Sequence, residues 1–169
     1  VRGSARSLMD HVRSGYPWGM DSTVGGGLFV HSGAEIKEAL EKLEPGEISS
    51  YYQDQIDFVQ HSKKGYVVVM GSKMLCNVDV KGVLRSHLEN EADITIVYKN
   101  VSKGFCLPDS IDNCLSFAAE GDSKVTALTP ARELSKDETK MAIGMGIAIM
   151  SKDKFVELTT EAANNRIKG

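Results

Sequence analysis

No apolar run in these 169 residues approaches the roughly 20 needed to cross a bilayer. No charged-then-apolar leader opens the chain either. Both absences predict a soluble, cytoplasmic protein with no membrane partner. A basic excess is missing too: 20 Lys and Arg stand against 23 Asp and Glu, for a net charge of −3. Nucleic-acid binders carry a basic face, so that partner class is set aside. Cysteine is scarce. Cys76, Cys106 and Cys114 are odd in number and lack C-x-x-C spacing, which argues against a disulfide framework or zinc site and predicts reduced, partly buried thiols. Repeats and low-complexity tracts are absent. His11, His31, His61 and His87 show no ligand-like spacing and are expected at the surface or at helix ends.

What remains is ordinary globular material: 41% hydrophobic and 25% charged residues, enough for one domain with a core. A helix is predicted from Ala5 to Ser14, capped by Ser4 or Ser7, with Leu8 and Val12 on one face and Gly15 as a left-handed terminator. Gly25-Gly26-Gly27 reads as a flexible turn, lacking the strand-before, helix-after context of a phosphate loop. Leu28 to His31 reads as a short strand. Ala34 to Glu44 has helical spacing (Ile36, Leu40, Leu43) and a Glu38/Lys42 pair. Pro45-Gly46 ends it. Ser49 or Ser50 opens the next helix, with Tyr52, Ile56 and Val59 inward, up to Lys64-Gly65.

Tyr66-Val67-Val68-Val69-Met70 then reads as a strand buried on both faces, running into the polar turn that begins at Gly71-Ser72-Lys73. In open parallel sheets ligands sit at such turns, outside the carboxyl end of a strand. A helix follows Asp79 to about Asn90, with Val83, Leu84 and Leu88 inward and Arg85 and Glu89 outward. The strand Asp93 to Tyr98 comes next. That order is the pattern of a parallel α/β sheet. Asn113–Ala118, Lys124–Leu128 and Ala142–Met150 read as further strands, antiparallel or mixed. Ser151 begins a last helix, with Phe155, Leu158 and Ala162 inward.

Four segments carry a family resemblance: Ser7-Leu8-Met9-Asp10-His11-Val12-Arg13-Ser14-Gly15 with Trp18; Gly26-Gly27-Leu28-Phe29; Cys76-Asn77-Val78-Asp79 with Ala92-Asp93-Ile94-Thr95-Ile96-Val97-Tyr98; and Met145-Gly146-Ile147-Ala148-Ile149-Met150-Ser151-Lys152. On these the chain resembles the nucleotidyltransferase domain of glucose-1-phosphate adenylyltransferases (ADP-glucose pyrophosphorylases), most of all their GlgD-type glycogen-biosynthesis subunit. The resemblance implies a three-layer, Rossmann-like nucleotide-diphospho-sugar transferase fold with a mixed, mainly parallel sheet. Residues 1–169 would be a central, partial nucleotidyltransferase domain, with the N-terminal nucleotide loop and the C-terminal β-helix not in this chain. Such a piece should expose a sheet face or edge, and should self-associate.

The resemblance also implies a reaction: ATP and glucose 1-phosphate give ADP-glucose and pyrophosphate. Two polyanions must meet, so catalytic relatives need magnesium, gripped in part by an aspartate just after the central strand. Counting forward from the apolar run puts Lys73 at that place. A unit charge and a dication about 4 Å apart interact by roughly 8 kcal/mol at an effective dielectric near 20; here the sign is repulsive, although a lysine can swing away. Lys73 either meets a phosphate directly or is a solvated loop residue. Asp79 keeps its family position but suits a helix N-cap better than a metal site. Asn77 reads as a turn residue.

Other pocket positions depart as well. Glu47-Ile48-Ser49-Ser50-Tyr51-Tyr52 puts bulky tyrosines where the family's G-T-A-D/A-A segment is small. Thr129-Pro130-Ala131-Arg132 stands where E-K-P is expected. Gly144 replaces the serine of S-M-G, with Met145 and Gly146 kept. Ser72, Lys73, Asn77, Asp79, Gly144, Met145 and Gly146 are thus read as a substrate-pocket remnant with no catalytic residue, no metal ligand and no cofactor in this chain. The implied function is a regulatory, catalytically impaired subunit that partners a catalytic subunit in a hetero-oligomer and answers to a sugar-phosphate or nucleotide effector, with Lys73, Lys124 and Arg132 as the available cations. An active sugar-1-phosphate nucleotidyltransferase and a purely structural oligomer subunit are the alternatives.

Overall fold

The computed structural model describes residues 10–12, 15, 17, 19–20, 27–29, 50–71, 75–102, 114–119, 121–129 and 140–164. The predicted helix over Ala34–Glu44, the start of the first helix, His31, and the segment 130–132 lie outside them. Where the first helix is described, at 10–12, it is helical, and Gly15 ends it with φ +74°. Residues 27–29 form no strand.

The described elements are helix α1 (Ser50–His61), strand β1 (Tyr66–Met70), helix α2 (Val80–Glu89), strands β2 (Ile94–Ser102), β3 (Cys114–Phe117), β4 (Val125–Thr129) and β5 (Lys140–Ser151), and helix α3 (Lys152–Asn164). They fall into two compact units, residues 1–67 with 151–169, and residues 68–150. In the first unit α1 packs on α3. Tyr52, Ile56 and Val59 are buried, as their spacing predicts. On α3 the most buried positions are Thr159 and Ala163, with Phe155, Leu158 and Ala162 half-buried. Lys152 ties the ends of these helices together. Its backbone N–H donates to the Gly65 carbonyl (2.9 Å), and its ammonium reaches the Gln60 and Ser62 carbonyls (3.5 Å each). A cation at the C-terminal end of α1 complements that helix's dipole.

The strands form one five-stranded sheet in the order β1-β5-β3-β4, with β2 also on β5. β5 is the hub. β2 runs along nearly its whole length, from Ile94 opposite Met150 to Ser102 opposite Lys140. β3 meets β5 at Ala142 and Ile143, and β4 closes on β3. The core of this unit therefore sits on β5 and β3, where Cys114, Leu115, Ala142, Ile143, Ile147, Ile149 and Met150 are buried.

Two expectations are corrected here. The sheet is α/β in class but not mainly parallel: β2/β5, β3/β4 and β3/β5 are all antiparallel. The two strands flanking α2 are not neighbours, because both pair with β5, so their order along the chain says nothing of the strand that joins them. Nor is β1 buried on both faces; Tyr66, Val68, Val69 and Met70 stand exposed and only Val67 is half-buried.

Helix α2 also turns differently from its predicted stripe. Leu88 points outward and His87 is buried, its Nδ1 2.8 Å from the Thr95 hydroxyl on β2. The inner stripe is Val83, Leu84 and His87, with His87 three and four residues after the other two and so on their face. His87 is accordingly buried rather than at the surface, although it does lie in the last turn of α2. His61 lies exposed in the last turn of α1, with Nδ1 2.7 Å from the Asp57 carbonyl.

Candidate functional site

The residues singled out by sequence come from two stretches, 72–79 and 144–146, and both belong to the second unit. One backbone contact links the residue just before the first stretch to the second. The Gly71 N–H, at the end of β1, donates to the Gly146 carbonyl at 2.7 Å. Gly146 lies in a bulge of β5: Val97 faces Ile147 but the next residue, Tyr98, faces Gly144, so Met145 and Gly146 have no partner on β2. Its φ of +67° is the left-handed conformation that glycine adopts without cost. A Cβ on Gly71 would meet the Gly146 carbonyl oxygen at 3.4 Å. The two strands thus meet through their backbones at the residue that directly precedes Ser72 and Lys73 in the sequence.

Ser72 and Lys73 themselves lie outside the described residues. Gly144 is buried in β5 opposite Tyr98, Met145 is half-buried, and Gly146 is exposed. Tyr98 and Phe117 meet ring to ring with centroids 5.2 Å apart. Gly71 was missed in the sequence; its signal was a glycine closing an apolar strand directly before a polar turn.

Asn77 is exposed outside any helix or strand. Asp79 is the N-cap of α2, with Oδ1 accepting the Lys81 N–H at 3.1 Å. Its other oxygen lies over Gly82, where an added Cβ would come within 2.8 Å of it. The carboxylate is therefore engaged by the helix start. Among the described residues no group of three or more His, Cys, Asp or Glu side chains is placed to hold a metal.

This geometry makes a four-variant test. Asp79→Ala should cost about 1 kcal/mol through the lost cap. Gly82→Ala should gain up to about 1 kcal/mol of helix propensity but displace the cap, leaving stability within about 0.5 kcal/mol of the parent. In the Asp79→Ala background the same change should be plainly stabilising. Urea melts of all four proteins measure the coupling, and additive effects would show that the carboxylate does not cap.

In the first unit a groove of about 680 Å³ is lined by Leu28, Phe29, Asp54, Asp57, Phe58 and His61, among others. Phe29 and Phe58 meet edge to face, 5.2 Å between centroids at 64°. None of the five described pocket-remnant residues, Asn77, Asp79, Gly144, Met145 and Gly146, lines it.

No protein-family model matches the chain. Curated proteins do. Glycogen biosynthesis protein GlgD of Geobacillus stearothermophilus is 32% identical over 90 residues, 53% of this chain and 25% of that protein. Its Bacillus subtilis (strain 168) counterpart is 31% identical over 97 residues, 56% of this chain and 26% of its own length. Glucose-1-phosphate adenylyltransferase of Lachnospira eligens is 25% identical over 163 residues, 89% of this chain and 34% of its length. The chain's homologues are GlgD and glucose-1-phosphate adenylyltransferase proteins. The resemblance carried by the four segments is thereby borne out. The chain spans between a quarter and about a third of the length of these relatives. Among the described residues no helix is long and apolar enough to cross a membrane.

Proposed function

We propose that this chain belongs to a GlgD-like regulatory subunit, catalytically impaired, of a glucose-1-phosphate adenylyltransferase acting in glycogen biosynthesis. The observation that carries the reading is Lys73, which stands by sequence count where the catalytic family grips magnesium with an aspartate. Reversing the sign of that side chain opposes the dication that two meeting polyanions require. Gly144 in place of a serine and Thr129-Pro130-Ala131-Arg132 in place of E-K-P erode the sugar-phosphate contacts in the same direction. The GlgD relatives support the glycogen-biosynthesis part of the reading by name. Residues 1–169 are then part of the nucleotidyltransferase domain, and the partner is a catalytic homologue. A regulatory role requires that an effector or the subunit interface distinguish two states of that assembly.

A second reading has one observation in its favour: the relative matched over most of the chain is named as a transferase. Pyrophosphate release separates the two. With ATP, glucose 1-phosphate and magnesium, the purified protein alone should turn over at least about a thousandfold below the 1–1000 per second of ordinary enzymes. Mixed with a catalytic glucose-1-phosphate adenylyltransferase, it should change that partner's kcat or KM. Ordinary turnover by the protein alone would establish the transferase instead. Altered assembly with unchanged kinetic constants would leave a structural subunit.

A further inference from the structure

Helix α1 has an outward stripe that is not simply polar. Tyr52, Ile56 and Val59 make its buried side. Asp54, Asp57, Phe58 and His61, at i, i+3, i+4 and i+7, fall on the opposite side and line the groove together with Leu28 and Phe29. All of them belong to the first unit. Phe58 is 45% exposed, and Phe29, edge to face against it, 63%. A groove of about 680 Å³ has the size of small-molecule sites, which are mostly apolar with a few polar groups that select the ligand. Here those groups share one sign. Neither Asp54 nor Asp57 pairs with a Lys or Arg among the described residues. The Gln53 amide donates to Asp57 Oδ1 at 2.7 Å and holds that side chain. His61 adds an acceptor. Its Nδ1 lies 2.7 Å from the Asp57 carbonyl, an atom that only accepts, so Nδ1 carries the proton and Nε2 of the neutral ring keeps its lone pair.

We propose that this groove binds a small organic cation, an ammonium group carried on an aromatic body. The head group meets the Asp54 and Asp57 carboxylates and the His61 acceptor; the body packs on Leu28, Phe29 and Phe58. The phenyl faces are themselves negative and attract a nearby cation. Both carboxylates are exposed, so their pull alone is modest and binding needs head and body together. Charge also excludes a class. A phosphate or carboxylate would face two like charges, which sets sugar phosphates and nucleotides apart from this groove. The proposal does not depend on the regulatory reading, since it uses none of the residues on which that reading rests.

An NMR titration of the 169-residue chain with phenethylamine should show saturable shifts at Phe29, Phe58 and His61, with a Kd of about 0.1–1 mM, ordinary for a ligand of so few atoms. Phenethyl alcohol and phenylacetate carry the same ring with a neutral and a negative head, and should bind at least about tenfold more weakly. Asp54→Asn and Phe58→Leu should each weaken phenethylamine binding by about three- to tenfold. Glu161→Gln, which neutralises an exposed carboxylate of α3 outside the groove, should leave it unchanged. If a variant loses its fold, the comparison of the three ligands on the unaltered chain decides alone. Absence of saturable shifts, shifts centred away from the groove, or equal affinity for the alcohol or the acid would each overturn the proposal. So would unchanged affinity in either folded groove variant, or a loss in Glu161→Gln equal to that in Asp54→Asn.

Discussion

Replacing Ile149 by alanine should lower stability by about 2–5 kcal/mol, the range for removing a large aliphatic side chain from a packed interior. Ile149 is 1% exposed and faces Thr95 across the β5/β2 ladder. Its loss opens a void on the strand that holds most of the sheet together. For a chain of this size, that cost corresponds to a fall in Tm of about 5–15 °C. Leu75, fully exposed, supplies the control: Leu75→Ala should stay within about 0.5 kcal/mol of the parent. Scanning calorimetry of the two variants measures both. Equal, small effects would mean that β5 is not the interior strand.

Gly146→Val should cost about 2 kcal/mol for a different reason, since the nearest atoms to an added Cβ are 3.8 Å away and space is not the obstacle. The obstacle is φ +67°. An L side chain in that conformation costs roughly 1–2 kcal/mol, and β-branching adds to it. Gly146→Asn should therefore lose less than Gly146→Val despite a similar size, because asparagine tolerates the left-handed region. Chemical denaturation of the pair gives the order. A reversed order would show that crowding rather than backbone conformation constrains the bulge. The variant should also loosen the Gly71 bond, so amide exchange at Gly71 should quicken in Gly146→Val more than in Gly146→Asn.

Local pattern made the helices legible. The i, i+4 and i+7 spacing of Tyr52, Ile56 and Val59 located both α1 and its buried face, and Asp79 announced the start of α2. The stripe of α2 was misread where a histidine outcompeted a leucine. Val83, Leu84 and His87 form a continuous face, and the Thr95 hydroxyl satisfies the ring that a hydropathy pattern treats as polar. Strand positions were legible within two residues for β1, β3, β4 and β5, but their partners were not. A β–α–β order suggests neighbouring parallel strands; here a strand from much later in the chain pairs with both. Burial of β1 was misjudged for a related reason. Apolar composition records the environment a strand requires, whereas among the described residues Tyr66, Val68, Val69 and Met70 stand exposed. For the candidate site, motif resemblance singled out 72–79 and 144–146, while the contact between Gly71 and Gly146 is backbone to backbone and leaves no side-chain signature.

The position of β5 as hub sets the order of events during synthesis. β1, β2 and β3 all emerge from the ribosome before Lys140–Ser151 exists to receive them. Ile94 must await Met150, and Gly71 must await Gly146. Such distant pairings form slowly, so the uncharged Tyr66–Met70 segment spends that interval without its partner, within reach of chaperones and of neighbouring nascent chains.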